Sequence, residues 1–237
     1  MVDDWISHTP RDVLAKNFNV SADVFDKVPS KFPYILNGTV SADLEKAPVG
    51  NLKGNSSYVY HTYQHEGEPV PGHGGTFRKI DSTNFPISKT LAAAIVELEP
   101  KGLRELHWHP NVSPWHVENL ECILKLSFIQ AEEWLYFHQG HARATVFLGD
   151  SKARTFDFTG GDTAAFPDNS GHYIENTSDT EKLVWVELYK SDRVADISLQ
   201  QWLALTPADT VANVLKVDIE VVKQIKKEKQ INVQGKK

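Results

Sequence analysis

Between residues 74 and 190 the chain is written in short alternating or apolar runs, each closed by a turn. "KTLAAAIVELEP" stops at a Pro-Lys-Gly turn, and "LRELHWHP" alternates. "EEWLYFHQG" ends at Gly140, "ARATVFLGD" at Gly149 and "ARTFDFTGGD" at Gly160-Gly161; "TAAFPDNSGHYIEN" and "KLVWVELYK" follow. Runs of this length, punctuated by Gly, Pro and Asp, predict an all-β sandwich or barrel. Helical periodicity is weak inside this region. Residues 30–73, rich in Gly, Pro and His around "GNSSYVYHTYQHEGEPVPGHGG", predict a linker that wraps or bridges.

The flanks carry a repeat. Asp4 to Val28 and Gln201 to Ile225 align at one constant offset. Trp5 matches Trp202, Thr9-Pro10 matches Thr206-Pro207, Asp12 matches Asp209, Ala15 matches Ala212, and Val20 matches Val217. Each copy reads as a helix start, with Thr as N-cap, Pro at the first helical position and Asp at the third. Shared capping grammar explains the Thr-Pro-Asp part alone; the matching Trp, Ala and Val favour a duplication. The second copy follows the β region and the first follows nothing. If each helical unit closes a β domain, the first copy is the tail of a domain whose body is missing here.

Composition narrows the classes. The 237 residues allow one large domain, or one domain with extensions. A net charge of −6 without a basic patch argues against nucleic acid as partner. No apolar run is long enough to predict a membrane span, so no membrane partner is expected. The single cysteine, Cys122, excludes an intrachain disulfide. "MVDDWISHTP" does not read as a signal peptide, which implies a cytoplasmic location if the chain is expressed as written. Five N-x-S/T sequons, at Asn19, Asn37, Asn55, Asn111 and Asn176, read either as chance or as a secretory protein whose N-terminus lies upstream.

The chemistry concentrates in a few positions. His107 and His109 sit at i and i+2, so a strand projects both imidazoles from one face. Glu133 opens a later strand and could add a carboxylate; His172, in "SGHYIEN", could add a third imidazole. Three imidazoles and one carboxylate leave two positions of an octahedron open. That set suits Mn²⁺ or Fe²⁺, with Mn²⁺ favoured by the hard oxygen ligand. The competing reading is a pair of surface histidines on an edge strand.

With these pieces assembled, "RELHWHP…AEEW.Y..G.A..TVF", "F..GD…FP….GHYIENT" and "L.W.ELYK" resemble the second barrel of the bicupin oxalate decarboxylases. The helical flanks resemble the segments that follow each barrel in that family. The resemblance implies an all-β cupin, a double-stranded β-helix or jelly-roll barrel with short flanking α-helices. Residues 1–60 would be the helical tail and linker of an absent first cupin. Residues 61–192 would be the barrel, and 193–237 a C-terminal helical extension. It implies Mn²⁺ on His107, His109, Glu133 and His172, with Fe²⁺ as the lesser choice and dioxygen as co-catalyst. Arg104 resembles the family's substrate-binding arginine and Glu187 a barrel-lining glutamate that moves a proton. The alternative for that pair is a mutual salt bridge on the barrel wall. The implied reaction converts oxalate to formate and CO2. The implied partners are oxalate and a homo-oligomer, and the full-length family is secretory. Alternatives are a truncated or impaired form, a metal-binding cupin without turnover, or oxalate oxidase-like activity.

Two tracts stand apart. Residues 112–130 separate the HxH pair from Glu133, and removing them leaves "HWHPNAEEWLYF". They read as an atypical insertion, either an in-frame retained intron or a lid loop, and a further alternative lets His116 or Cys122 reach the metal. The lysine-rich end, "KQIKKEKQINVQGKK", reads as a solvated helix fraying into a tail.

Overall fold

A computed structural model of the chain describes residues 2–29, 57–110 and 132–235. The insertion 112–130 and most of the linker lie outside the described residues, as do Cys122 and His116. The chain divides into two compact units, Met1–Asn55 and Ser56–Lys237.

In the first unit, α1 (Val2–Ser7) and α2 (Arg11–Phe18) precede a 3₁₀ turn at Ala22–Phe25. In the second, β1 (Gly75–Ile80), β2 (Ala92–Leu98), β3 (Leu103–Trp108), β4 (Glu133–Gln139) and β5 (His141–Gly149) come first. They are followed by β6 (Lys152–Thr159), β7 (Thr163–Phe166), β8 (Gly171–Asn176) and β9 (Leu183–Tyr189). The chain then runs through β10 (Ile197–Ser198), α3 (Leu199–Leu205), α4 (Ala208–Leu215), α5 (Ile219–Lys223) and β11 (Asn232–Val233).

Two antiparallel sheets enclose the core. One has the order β1-β2-β9-β4-β7, the other β10-β3-β8-β5-β6, with β11 also paired to β3. Sequence alternation turns one face of β2, β4, β8 and β9 inward. On β9, Leu183, Trp185, Glu187 and Tyr189 are buried; on β2, Ala92, Ala94, Val96 and Leu98. The register stacks these into layers: Val96 beside Trp185 and Phe137, Ala94 beside Glu187 and Leu135, Ala92 beside Tyr189 and Glu133. Small alanines therefore stand next to the large polar side chains of β9, which leaves room for them inside a close-packed barrel.

The helical duplication is geometric as well as textual. Asn19 ends α2 at φ 54°, ψ 46°, and Lys216 ends α4 at φ 56°, ψ 40°. The Thr9 hydroxyl donates to the Trp5 carbonyl at 2.8 Å, and Thr206 does the same to Trp202 at 2.8 Å. This corrects the capping expectation. Each threonine closes the helix before it, and Pro10 and Pro207 take the N-cap positions in extended conformation. The hydroxyl proton satisfies a carbonyl that the helix end leaves without a partner, and the N-cap position of the next helix falls one residue later, on a proline with no side-chain acceptor.

The C-terminal expectation is also corrected. After α5 the chain does not fray; it becomes a strap. Asn232 and Val233 pair with Arg104 and Leu103 of β3. On the other side, Gly72 N–H donates to the Gln230 carbonyl (3.2 Å) and Gly74 N–H to the Asn232 carbonyl (2.9 Å). Both glycines are needed for this approach. A Cβ at Gly72 would lie 2.2 Å from the Asn232 oxygen, and one at Gly74 2.3 Å from the Val233 oxygen. The strap thus joins the segment entering β1 of one sheet to β3 of the other, and Asn232 is fully buried despite a polar neighbourhood in sequence.

Candidate metal centre

β3 carries the first candidate ligand, and the second follows one residue beyond its end. His107 and His109 turn inward, while Leu106 is exposed. His107 is the backbone partner of His172 on β8, so the register alone sets two imidazoles side by side, 4.3 Å between ring centroids. Glu133 enters from the facing sheet as the first residue of β4. One ligand atom from each of His107, His109, Glu133 and His172 fits in a group within 4.8 Å of one another, and all four residues are buried.

Hydrogen bonding fixes what these atoms can do. His107 Nδ1 lies 2.6 Å from the Glu105 carbonyl, His109 Nδ1 2.9 Å from that of Ala195, and His172 Nδ1 2.9 Å from that of Ser170. A carbonyl only accepts, so each Nδ1 carries the proton and each neutral ring presents a bare Nε2 lone pair. Among the described residues, the three Nε2 atoms and both Glu133 oxygens are buried without a hydrogen-bond partner. Glu133 Oε2 is 2.9 Å from His172 Nε2 and 3.2 Å from His109 Nε2. With Nδ1 protonated these are contacts between lone pairs, which a cation at their centre or a second proton on the rings reconciles. The donor set, three nitrogens and one carboxylate, fits a divalent first-row metal.

The charges agree. Burial alone would raise Glu133, but positive charge at the positions of His172 and His109 holds it well below the usual carboxylate range, the direction in which a bound cation would also push it. Burial, reinforced by the nearby Arg104 charge, keeps His107 well below the ordinary imidazole value, so it stays a neutral ligand.

Arg104 and Glu187 do not pair with each other. Arg104 is fully buried, bonded to Asp196, over the Phe77 ring at 5.0 Å and 3.4 Å from the Ile231 carbonyl. Asp196 is also held by Lys229 of the strap. The guanidinium edge that faces Asp196 is committed, while its Nε has no partner among the described residues. Glu187 lies one layer below Glu133, accepting from Trp185 Nε1 at 2.9 Å and from the Tyr189 hydroxyl. Burial and then the Glu133 charge push Glu187 above its ordinary value, and burial with the Glu187 charge pushes Tyr189 well above its own.

Parity along β3 would turn Arg104 outward with Leu106. A bulge between Arg104 and His107 reverses this, and Arg104 stands opposite the buried Ile174. The sequence reading missed Trp185, Tyr189, Asp196 and Glu105. The first two share the i, i+2 face of Glu187 and were findable on that signal; Asp196 and Glu105 carry none.

Residues 66–117 and 122–223 match the family model described as Cupin. A protein of Arthroderma benhamiae named probable oxalate decarboxylase is 56% identical over 230 residues, covering 97% of this chain and 52% of that relative. The oxalate decarboxylase OxdC of Bacillus subtilis is 38% identical over 226 residues, covering 95% and 54%. A solved structure of Bacillus subtilis oxalate decarboxylase, a protein with Mn(II) centres, superimposes with a TM-score of 0.83 at 36% identity, over 100% of this chain and 57% of that one. The chain spans about half the length of the curated relatives it matches.

Proposed function

The chain belongs to the cupin family, among its oxalate decarboxylases, and on that premise we propose that its barrel holds Mn²⁺ and acts on oxalate, giving formate and CO2. The observation that carries the reading is the convergence of three bare Nε2 atoms and an ionised, unpartnered Glu133 carboxylate in a buried pocket. Mn²⁺ is preferred over Fe²⁺ because of the hard carboxylate in the set. When bound, the metal supplies Lewis acidity and a one-electron couple to a carboxylate substrate. In this reading dioxygen is a co-catalyst and the protein self-associates.

The chain's own residues supply the rest. Arg104 adds a buried positive charge toward a dianion, and its unpartnered Nε–H is the donor it still has to offer. Its remaining edge is held by Asp196, so the two-bond grip expected from the resemblance is reduced. The reaction breaks the carbon–carbon bond and needs one proton for the formate carbon. Glu187 is the group placed to supply it, because burial raises its proton affinity. A proton on its Oε2 would be shared with the Tyr189 oxygen. The buried Leu135, Phe137, Trp185 and Ile174 keep water from the pocket floor.

A second reading, metal binding without turnover, is favoured by the commitment of the Arg104 guanidinium to Asp196. Metal content together with product analysis separates the two. Formate and CO2 with stoichiometric metal support decarboxylation. Peroxide means oxidase chemistry, and metal without product means a binding module.

A further inference from the structure

The outer edge of β3 is covered by two short strands from distant sequence, β10 beside His107 and Trp108, β11 beside Leu103 and Arg104. Between them lies Glu105, buried at the bulge. Its carboxylate accepts the Ser198 hydroxyl at Oε2 (2.7 Å) and the Ile231 N–H at Oε1 (2.9 Å). Its own N–H donates to the Ile231 carbonyl at 2.9 Å. Its carbonyl, on the same peptide frame, receives Nδ1–H of His107 at 2.6 Å. Glu105 is therefore tied at three atoms to β10 and the strap, and at the fourth to a candidate metal ligand.

A second observation marks the same junction. Ile231 has φ 60°, a left-handed conformation that a β-branched residue rarely adopts. Such strain persists where the surroundings over-determine the backbone, and it gathers at functional sites. Here Ile231 is held on both sides by Glu105, its N–H donating to the carboxylate and its carbonyl accepting from the Glu105 N–H.

We infer that Glu105 is a positioning residue for His107: by anchoring β10 and the C-terminal strap, its side chain holds the carbonyl that fixes the tautomer and aim of the ligand. The inference rests on the metal-centre reading above. The outer partner of a ligating imidazole sets ring orientation and ligand basicity, and losing it typically weakens metal affinity by roughly 10- to 100-fold. Nothing in the ligand set itself changes, so the effect enters through geometry alone.

The experiment titrates metal-free protein with Mn²⁺, and separately with Co²⁺ to record the visible absorption at saturation. The proteins are wild type, Glu105→Ala, Glu105→Gln and Ser198→Ala. Glu105→Ala should weaken both metals by at least about tenfold and alter the saturated Co²⁺ band. Glu105→Gln, which keeps the acceptor for Ile231, should restore most of the affinity and the wild-type band. Ser198→Ala should fall between wild type and Glu105→Ala. A purely structural role would lower the melting temperature of the metal-free protein and leave the saturated Co²⁺ band unchanged; that result overturns the inference. So does wild-type affinity in both Glu105→Ala and Ser198→Ala, or in Glu105→Gln and Ser198→Ala if the alanine variant at 105 does not fold. Wild-type protein that binds neither metal overturns the metal-centre reading itself, and the inference with it.

Discussion

The Tyr189 hydroxyl donates to Oε2 of Glu187, two residues earlier on the same strand, and both side chains are closed off from solvent. The bond fixes the orientation of the carboxylate. Removing it in Tyr189→Phe leaves a buried acceptor short of one partner, at a cost of about 1–3 kcal/mol. The same bond favours the ionised form of Glu187, so the variant should also bind its proton more tightly. Urea unfolding measures the first effect. The pH dependence of turnover, with its upper limb moved to higher pH, measures the second.

Glu187 also sets a direction for stability against pH. Its folded-state proton affinity is raised above the ordinary value of 4.5. The unfolded chain therefore loses this proton first, and the group's contribution is complete below about 4.5 and declines as pH rises toward the folded value. Metal-free Glu187→Gln should show a flatter loss of melting temperature as pH rises above about 4.5 than metal-free wild type. Parallel slopes in calorimetry would contradict the assignment.

Metal should stabilise the barrel by binding the folded state alone. At a hundredfold excess over Kd the gain is about 2.7 kcal/mol, which chelation should reverse. Glu133→Ala, which leaves three facing nitrogens without the anionic ligand, should abolish the metal-dependent rise in melting temperature. Scanning calorimetry with and without Mn²⁺ gives both comparisons.

Asp196 neutralises a charge that has no route to water. Asp196→Ala strands Arg104, which is fully buried, and should cost about 3–5 kcal/mol. Replacing both residues, Arg104→Met with Asp196→Ala, should recover part of that loss because the fully buried orphan charge is gone and only the partly exposed Lys229 has lost its carboxylate. A double-mutant cycle in denaturant shows whether the two losses are coupled in this way.

The helical copies give an internal comparison. Thr206→Val removes a 2.8 Å bond to the Trp202 carbonyl, and Thr9→Val removes its counterpart to Trp5. Each should cost about 0.5–1.5 kcal/mol of local stability, seen as faster amide exchange at the end of the affected helix.

What the sequence conveyed and what it withheld divide along physical lines. His107 and His109 were legible because strand parity is local, and "GHYIEN" announced β8 with its histidine at the right phase. The strands from Ala92 to Tyr189 were legible because Gly, Pro and Asp mark their ends. β1 escaped notice: "GTFRKI" has little alternation, and its neighbours in the linker are loop-like. The inward turn of Arg104 depends on a bulge, which adds one residue without a compositional signature. The tail from Glu228 to Val233 read as a helix end because its lysines are conspicuous, whereas its partners, Glu105, Gly72 and Gly74, lie more than a hundred residues away in the sequence. Periodicity cannot report a bond of that range. The Thr-Pro motif misled for the opposite reason, since the same threonine oxygen suits two neighbouring helix ends and geometry chooses between them.

The strap has a bearing on when the metal centre comes into being. During synthesis, His107 leaves the ribosome well before Ile231 and Val233, which complete the edge of its strand. The nascent barrel must wait with β3 bare on one side, and the last contacts to close are among the longest in sequence. Contacts of that range are slow to form, because the intervening chain must be ordered first. Metal capture therefore belongs to the end of folding rather than its beginning, and a ribosome stalled short of residue 231 would carry a barrel with its ligands made and its centre unfinished.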